Sequence, residues 1–467
     1  MTGNQYEELV KRVARLARQN QELEELLRKS EKLIGKLSRE NEKMKALSER
    51  AGISDAVKDK EVEQGRKTLR FDMATVLISG IKGFSGVTGN ADPVSVMDEL
   101  DEILFEIESI ASRYNTVRIR TIGDTFMCAG GIPVRNNTNP VEVVMAAVEI
   151  NAFIHEFETR KRQGMDRLWS VKTGIHTGPV MASVSGRKKI NYDIKGDTVN
   201  TASRVEAVAE NGSVVISVMT YELVKEFFDC EYHGKLPVRY KGDLQLYRVK
   251  GLKTGLSDHP SASVPNDAFR VKLGLIRFND LQEIILDRLE KELPDNLFYH
   301  NVKHTVDVVT EVELIGWAEG CNDGEILLLK TAALFHDLGH TVSYDDHEYQ
   351  GTILAREILP GFGYNQGQIE DICRLIMATR LPPAPENLSE KIMCDSDLDY
   401  LGRSDFIPVS NTLFEELKAR GKMGSLNDWN KLQIKFISGH QYFTKTARSL
   451  REVNKQMQIE RLRGLII

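Results

Sequence analysis

Three successive patterns predict a multi-domain chain: an N-terminal α-helical coiled coil, a central α+β domain and a C-terminal all-α domain. The first pattern is a seven-residue apolar repeat over the opening fifty residues. The second is a set of short β-branched stretches mixed with amphipathic helices, without strict alternation. The third is a nearly continuous helical pattern from residue 268 onward, in which histidines are concentrated. A length of 467 residues, 41% hydrophobic and 28% charged, is enough for two or three cores and excludes a disordered or fibrous chain.

The net charge of −6 points to no nucleic-acid partner. The five cysteines, Cys128, Cys230, Cys321, Cys373 and Cys394, are scattered and form no CxxC pair. That spacing favours a reducing compartment with buried thiols over a disulfide framework or a zinc site. No stretch of about 18 apolar residues occurs, and the N-terminus is charged, so a cytoplasmic protein with no membrane span is expected.

From Tyr6 to Ser48 there is no proline and one glycine. Val13, Asn20, Leu27, Ile34 and Asn41 fall at heptad position a; Leu9, Leu16, Leu23, Ser30, Leu37 and Met44 fall at d. Asn20 and Asn41 in the seam each want a matching Asn opposite, which favours an in-register parallel dimer over residues 1–50. Residues 51–66 are polar, carry two glycines and read as a connector.

Residues 67–253 form the α+β region. Ala74 to Ile81 reads as a buried strand, Pro93 to Ser112 and Val141 to Lys161 as helices. Thr116 to Ile119 and Thr125 to Cys128 read as a hairpin with Asp124 at its tip. Ser170 to Ile175 and Val180 to Val184 read as two strands around His176-Thr177-Gly178. A largely antiparallel sheet follows from this mixture. The stretch Asn191 to Arg204, NYDIKGDTVNTASR, turns at Gly196, with Asp197 placed to cap the helix that follows. Asn200 and Arg204, four apart, share a face of that helix, where an amide and a guanidinium can clamp a phosphate and a ribose oxygen. Asp193 is a carboxylate able to read a base edge.

VLISGIKGFSG, VRIRTIGDTFMCAGGIP, VKTGIHTGPVMASVSG, NYDIKGDTVNTASRVE and VRYKGDLQLYRVKG occur in the order and spacing of a class III nucleotide cyclase catalytic domain. The resemblance implies a ferredoxin-like fold, a head-to-tail homodimer with the site at its interface, and ATP as substrate. It implies attack of the ribose 3′-oxygen on the α-phosphate, assisted by Mg²⁺ or Mn²⁺. On this resemblance Asp124 is one metal ligand, and the position of the other is Gly80, which has no carboxylate and should weaken binding of both ions. Asp72 lies at the far end of the strand. Asp193 and Arg120 match base-reading positions, where guanylyl enzymes have Cys and Glu, so the pair favours ATP. Asn200 and Arg204 match the ribose-orienting and transition-state residues. Arg239 and Lys172 match contacts to the phosphates. Two outcomes stay open: a slow, Mn²⁺-dependent adenylyl cyclase, or an ATP-binding dimer without turnover that regulates the rest of the chain.

Residues 254–267 are rich in Ser and Pro and read as a linker. In 268–467 the pattern is helical, with segments at Leu281 to Leu293, Thr305 to Glu319, Asp323 to Phe335, Gln368 to Ala378 and Trp429 to Leu465. Five of the ten histidines lie between His300 and His347. His300 with His304, and His336 with His340, are each four apart, so each pair can face one pocket from a helix. Imidazoles and carboxylates converging from several helices suit a divalent metal. The order His304, His336-Asp337, Asp397, in ALFHDLGH and CDSDLDYLGR, resembles the HD phosphohydrolase superfamily. That resemblance implies one or two divalent ions on His304, His336, Asp337 and Asp397, with Asp397 preferred to Asp395. YHNVKHTVDV is similar to a segment of cyclic-nucleotide phosphodiesterases, which implies that His300 is the general acid and that water activated on the metal is the nucleophile. His340 and His347 could line a second metal or contact phosphate, and His347 could instead bond a helix end. The substrate class is a phosphoester, cyclic nucleotides included.

Overall fold

The computed structural model describes residues 68–83, 93–122, 124–161, 169–185, 191–238, 242–258 and 263–466. The expected coiled coil at 1–50, the connector at 51–66 and Arg239 lie outside them.

The first half is built on a mixed sheet whose strands run in the order β2 (Val117–Ile122), β3 (Thr125–Gly130), β1 (Thr68–Lys82), β4 (Ser170–Ser185), β6 (Ser213–Ser217), β8 (Gly242–Leu252) and β7 (Phe228–Val238). β5 (Asn191–Lys195) also pairs with β4. Among the described residues only β4 and β6 pair in parallel; the other pairings are antiparallel.

Side chains alternate across β1, so it feeds two cores. Leu77 and Ile81 pack with Ile103 and Ile107 of α1 (Pro93–Arg113) and Val144 and Ile150 of α2 (Asn139–Lys161). Val76 and Ile78 point the other way and pack with Val199 and Ala202 of α3 (Asp197–Val208).

β4 departs from the expected pair of strands by running unbroken through His176-Thr177-Gly178. The polar residues there are interior: Thr177 Oγ1 lies 3.0 Å from both Thr75 Oγ1 and Thr220 Oγ1. These mutual bonds let a polar segment stay in the ladder. α3 also starts differently from expectation. Gly196, at φ 138°, occupies the cap position, and Asp197 is the first helical residue, where its charge favours the positive end of the helix dipole. α3 lies almost on β4. A Cβ at Gly174 would stand 2.1 Å from the Glu206 backbone nitrogen, and one at Gly178 would stand 2.8 Å from Thr198 Oγ1.

After the short α4 (Val218–Val224), α5 (Asp267–Glu292) begins at the Asn266 cap, which accepts the Phe269 N–H. It is longer than expected because it serves two cores. Phe269 and Leu273 close the first; Phe278, Leu281, Ile285 and Leu289 open the second. Arg277 on α5 pairs with the buried Glu142 at 2.9 Å and donates to the Phe362 carbonyl at 3.0 Å.

The second core is helical: α6 (Val302–Glu319), α7 (Asp323–Phe335), α8 (His347–Ile358), α9 (Gln366–Ala378), α10 (Leu388–Asp397), α11 (Phe406–Ala419), α12 (Leu426–Gly439) and α13 (Lys445–Gly464). The tail expected as one helix is two. Between them the Asp395 carboxylate accepts the Phe443 N–H at 2.9 Å and the Thr444 N–H and hydroxyl at 2.7 Å, while Thr444 caps α13. No helix among the described residues is long and apolar enough to cross a membrane.

Gly174→Ala should cost about 3 kcal/mol, the upper end of overpacking, because the obstructing atom is helix backbone; denaturant unfolding measures it. Asp395→Ala should cost about 2–4 kcal/mol through the stranded Phe443 and Thr444 donors, again read by unfolding.

Candidate functional site

α6 begins where Asn301 accepts the His304 N–H at 3.1 Å. The cap fixes Tyr299 and His300 in the loop ahead of the helix and His304 in its first turn. His300 and His304 therefore do not share a helix, contrary to expectation. Nor do His336 and His340. α7 ends at Phe335, with His336 as its C-cap, and His340 lies in a 3-10 turn, Leu338–Thr341. The break is imposed by close packing: a Cβ at Gly339 would stand 1.9 Å from the His347 carbonyl oxygen. Glycine alone lets the start of α8 press onto this turn and carry His347 inward.

These ends meet at Asp337. His304 Nε2 and His336 Nε2 are 3.3 Å apart and lie 3.4 and 3.3 Å from Asp337 Oδ2. Asp397 Oδ1 is 3.2 Å from His304 Nε2 and 3.5 Å from His336 Nε2. Ligands about 2.1 Å from one ion are spaced by roughly 3.0–3.4 Å along a coordination edge, so the set has the span of a divalent site. The other oxygen of Asp337 faces a second set: Oδ1 is 3.6 Å from His347 Nε2 and 3.9 Å from His340 Nε2. His300, Asp337 and His340 form one metal-sized group, and His304, His336 and Asp337 form another. The sequence brought these residues to one pocket, and the structure makes Asp337 common to both groups.

The hydrogen bonds suit this chemistry. The His336 Nδ1–H donates to the Ala333 carbonyl at 2.7 Å, leaving the Nε2 lone pair facing inward. His347 does likewise with the Tyr344 carbonyl at 3.0 Å. Asp337 Oδ2 and both His340 ring nitrogens are buried and make no hydrogen bond; a cation here would take the carboxylate oxygen and the one imidazole lone pair. Burial holds the His340 imidazole neutral, down to about 3. Burial pushes Asp337 up, but His336 and His300 beside it pull harder and hold it well below the usual carboxylate range. The donor set fits a divalent ion.

Asp395 takes no part; its carboxylate is consumed by the α12–α13 break. Sequence reasoning missed Glu416. It is fully buried on α11, accepts the Tyr299 and His300 N–H groups at 2.9 and 3.1 Å, and lies 2.6 Å from His300 Nδ1. It stands 116 residues from His300, and nothing near it in sequence marks it. A cavity of about 330 Å³ opens beside His300, Asp337 and Asp397, with walls that include Leu401, Leu413, Trp429, Gln433 and Phe436. A second, of about 280 Å³ and more polar, shares Tyr299, Asp397 and Tyr400 with it.

In the sheet, Asp124 sits at the β2–β3 turn with Lys82 Nζ 3.9 Å away, and its carbonyl accepts the Ile81 N–H at 2.7 Å. Gly80 is in register with Thr125 on one side and Lys172 on the other. Asp72 is paired with Arg70 at the opposite end of β1. Asn200 and Arg204 are both exposed on α3, on the face away from β4. Asp193 is half-buried on β5 and Arg120 exposed on β2, a strand that neighbours β5. Lys172, rather than standing free for phosphate, pairs with Glu206 Oε1 at 3.1 Å.

A family model described as adenylate and guanylate cyclase catalytic domain matches residues 67–251, and one described as HD domain matches residues 301–400. The receptor-type guanylate cyclase gcy-8 of Caenorhabditis elegans is 35% identical over 188 residues, 39% of this chain and 16% of that protein. Human guanylyl cyclase C is 32% identical over 187 residues, 39% of this chain and 17% of that protein. The chain thus spans less than a fifth of the length of these curated relatives. The adenylyl cyclase CyaB from P. aeruginosa, a solved structure, is 28% identical over 41% of this chain and 100% of its own, with a TM-score of 0.38. The chain joins an adenylate and guanylate cyclase catalytic domain to an HD domain.

Proposed function

We propose that this chain is a nucleotide signalling enzyme that forms cyclic AMP and pyrophosphate from ATP in its cyclase domain and hydrolyses a phosphoester in its HD domain. The cyclase domain occupies 67–253 and the HD domain 268–467, joined by 254–267 and preceded by a dimerising coiled coil at 1–50. The observation that carries the reading is Asp337, a buried carboxylate between two sets of imidazoles, with buried ring nitrogens beside it that bond nothing else.

In the HD domain, His304, His336, Asp337 and Asp397 would hold one divalent ion, and His340 and His347, on the other side of Asp337, would help to hold a second. Bound there, the metal supplies Lewis acidity and an activated water. Glu416 fixes the His300 ring through Nδ1, so Nε2 presents its proton to the leaving oxygen. Burial lowers the basicity of His300, while the Asp337 and Glu416 carboxylates beside it raise it above the usual imidazole range. The largely apolar cavity with Trp429 and Phe436 in its wall suits a flat ring such as a nucleobase. Ser410 Oγ donates to Gln433 Oε1 at 2.5 Å, which leaves the Gln433 amide N–H groups for a base edge.

In the cyclase domain, a head-to-tail homodimer sets the exposed Asn200 and Arg204 of one protomer against Asp124 of the other. Asn200 orients the ribose and Arg204 meets the charge that develops on the α-phosphate as the 3′-oxygen attacks. Arg120 and Asp193 read adenine; Lys172 and Arg239 meet the phosphates.

Purified full-length chain with ATP and Mn²⁺ should yield cyclic AMP, and none above a blank would end the cyclase reading. Arg120→Glu with Asp193→Cys should shift the ATP-to-GTP rate ratio at least about tenfold toward GTP. In a phosphodiester assay with Mn²⁺, His336→Ala or Asp337→Ala should lose about a thousandfold or more. Glu416→Gln, which keeps the metal ligands, should lose about ten- to a hundredfold in kcat. Equal rates in the metal-ligand variants would remove metal hydrolysis.

A further inference from the structure

We propose that Glu206 supplies, from α3, the carboxylate that position 80 lacks, so that Asp124 and Glu206 together hold the divalent ion of the cyclase half-site. The inference rests on the nucleotide reading of this domain.

The geometry begins at Gly80. A Cβ built there would stand 2.4 Å from Glu206 Oε1, 3.5 Å from Glu206 Cδ and 3.6 Å from Lys172 Cε. A carboxylate oxygen two bonds from its own Cβ is also about 2.4 Å away. Glu206 Oε1 therefore already lies at the radius that an aspartate oxygen at position 80 would have. The volume beside Gly80 is filled by a carboxylate from another element.

The backbone explains how it gets there. Gly80, Lys172 and Gly174 lie on the sheet face covered by α3, with Gly80 and Lys172 directly across the β1–β4 ladder. Without a side chain at Gly174, α3 rests on β4, and the Glu206 nitrogen comes within 2.1 Å of where a Cβ at Gly174 would be. From so close a backbone, a glutamate at 206 reaches over to β1. Asp124 is tied to the same end of the sheet: the Ile81 N–H donates to its carbonyl, and Gly80 faces Thr125. Asp72, the one acid on β1, pairs with Arg70 at the far end of the strand.

Each carboxylate is balanced by one lysine. Lys82 Nζ lies 3.9 Å from Asp124 Oδ2, and Lys172 Nζ lies 3.1 Å from Glu206 Oε1, where both side chains are about 85% buried, at 16% and 15% exposed. Lys172 also donates to the Glu206 carbonyl at 3.3 Å. A polyphosphate arriving with a divalent cation offers both members of each pair a new partner. The lysines turn to phosphate oxygens and the two carboxylates to the cation. Oxygen donors of this kind are what Mg²⁺ and Mn²⁺ take.

Glu206→Gln keeps the shape and removes the charge. The readout is the affinity of the full-length chain for a non-cyclisable ATP analogue, with and without Mn²⁺, by calorimetry. Wild type should bind the analogue more tightly with Mn²⁺. Glu206→Gln should lose that gain by tenfold or more while binding the metal-free analogue at least as well, because Lys172 is released. Gly80→Asp combined with Glu206→Gln should restore the Mn²⁺ gain, which separates a lost ligand from a damaged fold. An unchanged Mn²⁺ gain in Glu206→Gln overturns the proposal and leaves the nucleotide reading standing. Wild type that binds no analogue, with or without Mn²⁺, overturns the nucleotide reading and this proposal together.

Discussion

A carboxylate buried among imidazoles sets the terms for the helical half. Asp337 is 5% exposed, and its two oxygens face different histidine sets. A charge so placed is tolerable only if its neighbours carry the opposite charge or share a cation with it. The surrounding architecture serves that requirement. The Asn301 cap sets the first turn of α6, so His304 points inward. α7 stops at Phe335, so His336 and Asp337 leave the helix together. Gly339 admits the start of α8 and with it His347. Helix ends, rather than helix faces, place most of these histidines and carboxylates.

The sheet half depends on a different kind of closeness. Glycines at 80, 174 and 178 clear one face of the sheet, and α3 settles onto it. That contact presents Asn200 and Arg204 outward and turns Glu206 inward over the gap at Gly80. A feature that reads in one dimension as a loss is, in three, a position occupied by another residue's carboxylate. α5 links the halves by packing into both cores, and its Arg277 bonds to each side.

Much of this was legible in the sequence because the signals were local. The apolar run at β1, the hairpin around Asp124 and the histidine density near residue 300 all depend on neighbours in the chain. The preference for Asp397 over Asp395 rested on local context, and the structure places Asp397 beside His304 and His336 while Asp395 holds the α12–α13 break. What escaped was set by distant partners. Thr177 looks like a turn residue until Thr75 and Thr220 are known to bond it. Spacing by four suggested shared helices for the histidine pairs, but a cap and a close helix contact ended the helices first. Glu416 carries no local mark, and Glu206, though it closes the segment NYDIKGDTVNTASRVE, shows nothing there of its reach to Gly80; each is defined by what it meets across the fold.

The central claim is that Asp337 is shared between two metal ions. Metal stoichiometry tests it most directly: full-length chain equilibrated with Mn²⁺ in the absence of nucleotide, gel-filtered, and assayed for bound metal per chain. The account predicts two ions, one on the His304, His336 and Asp397 side of Asp337 and one on the His340 and His347 side, with both lost in Asp337→Ala. Stoichiometry unchanged by Asp337→Ala would contradict it.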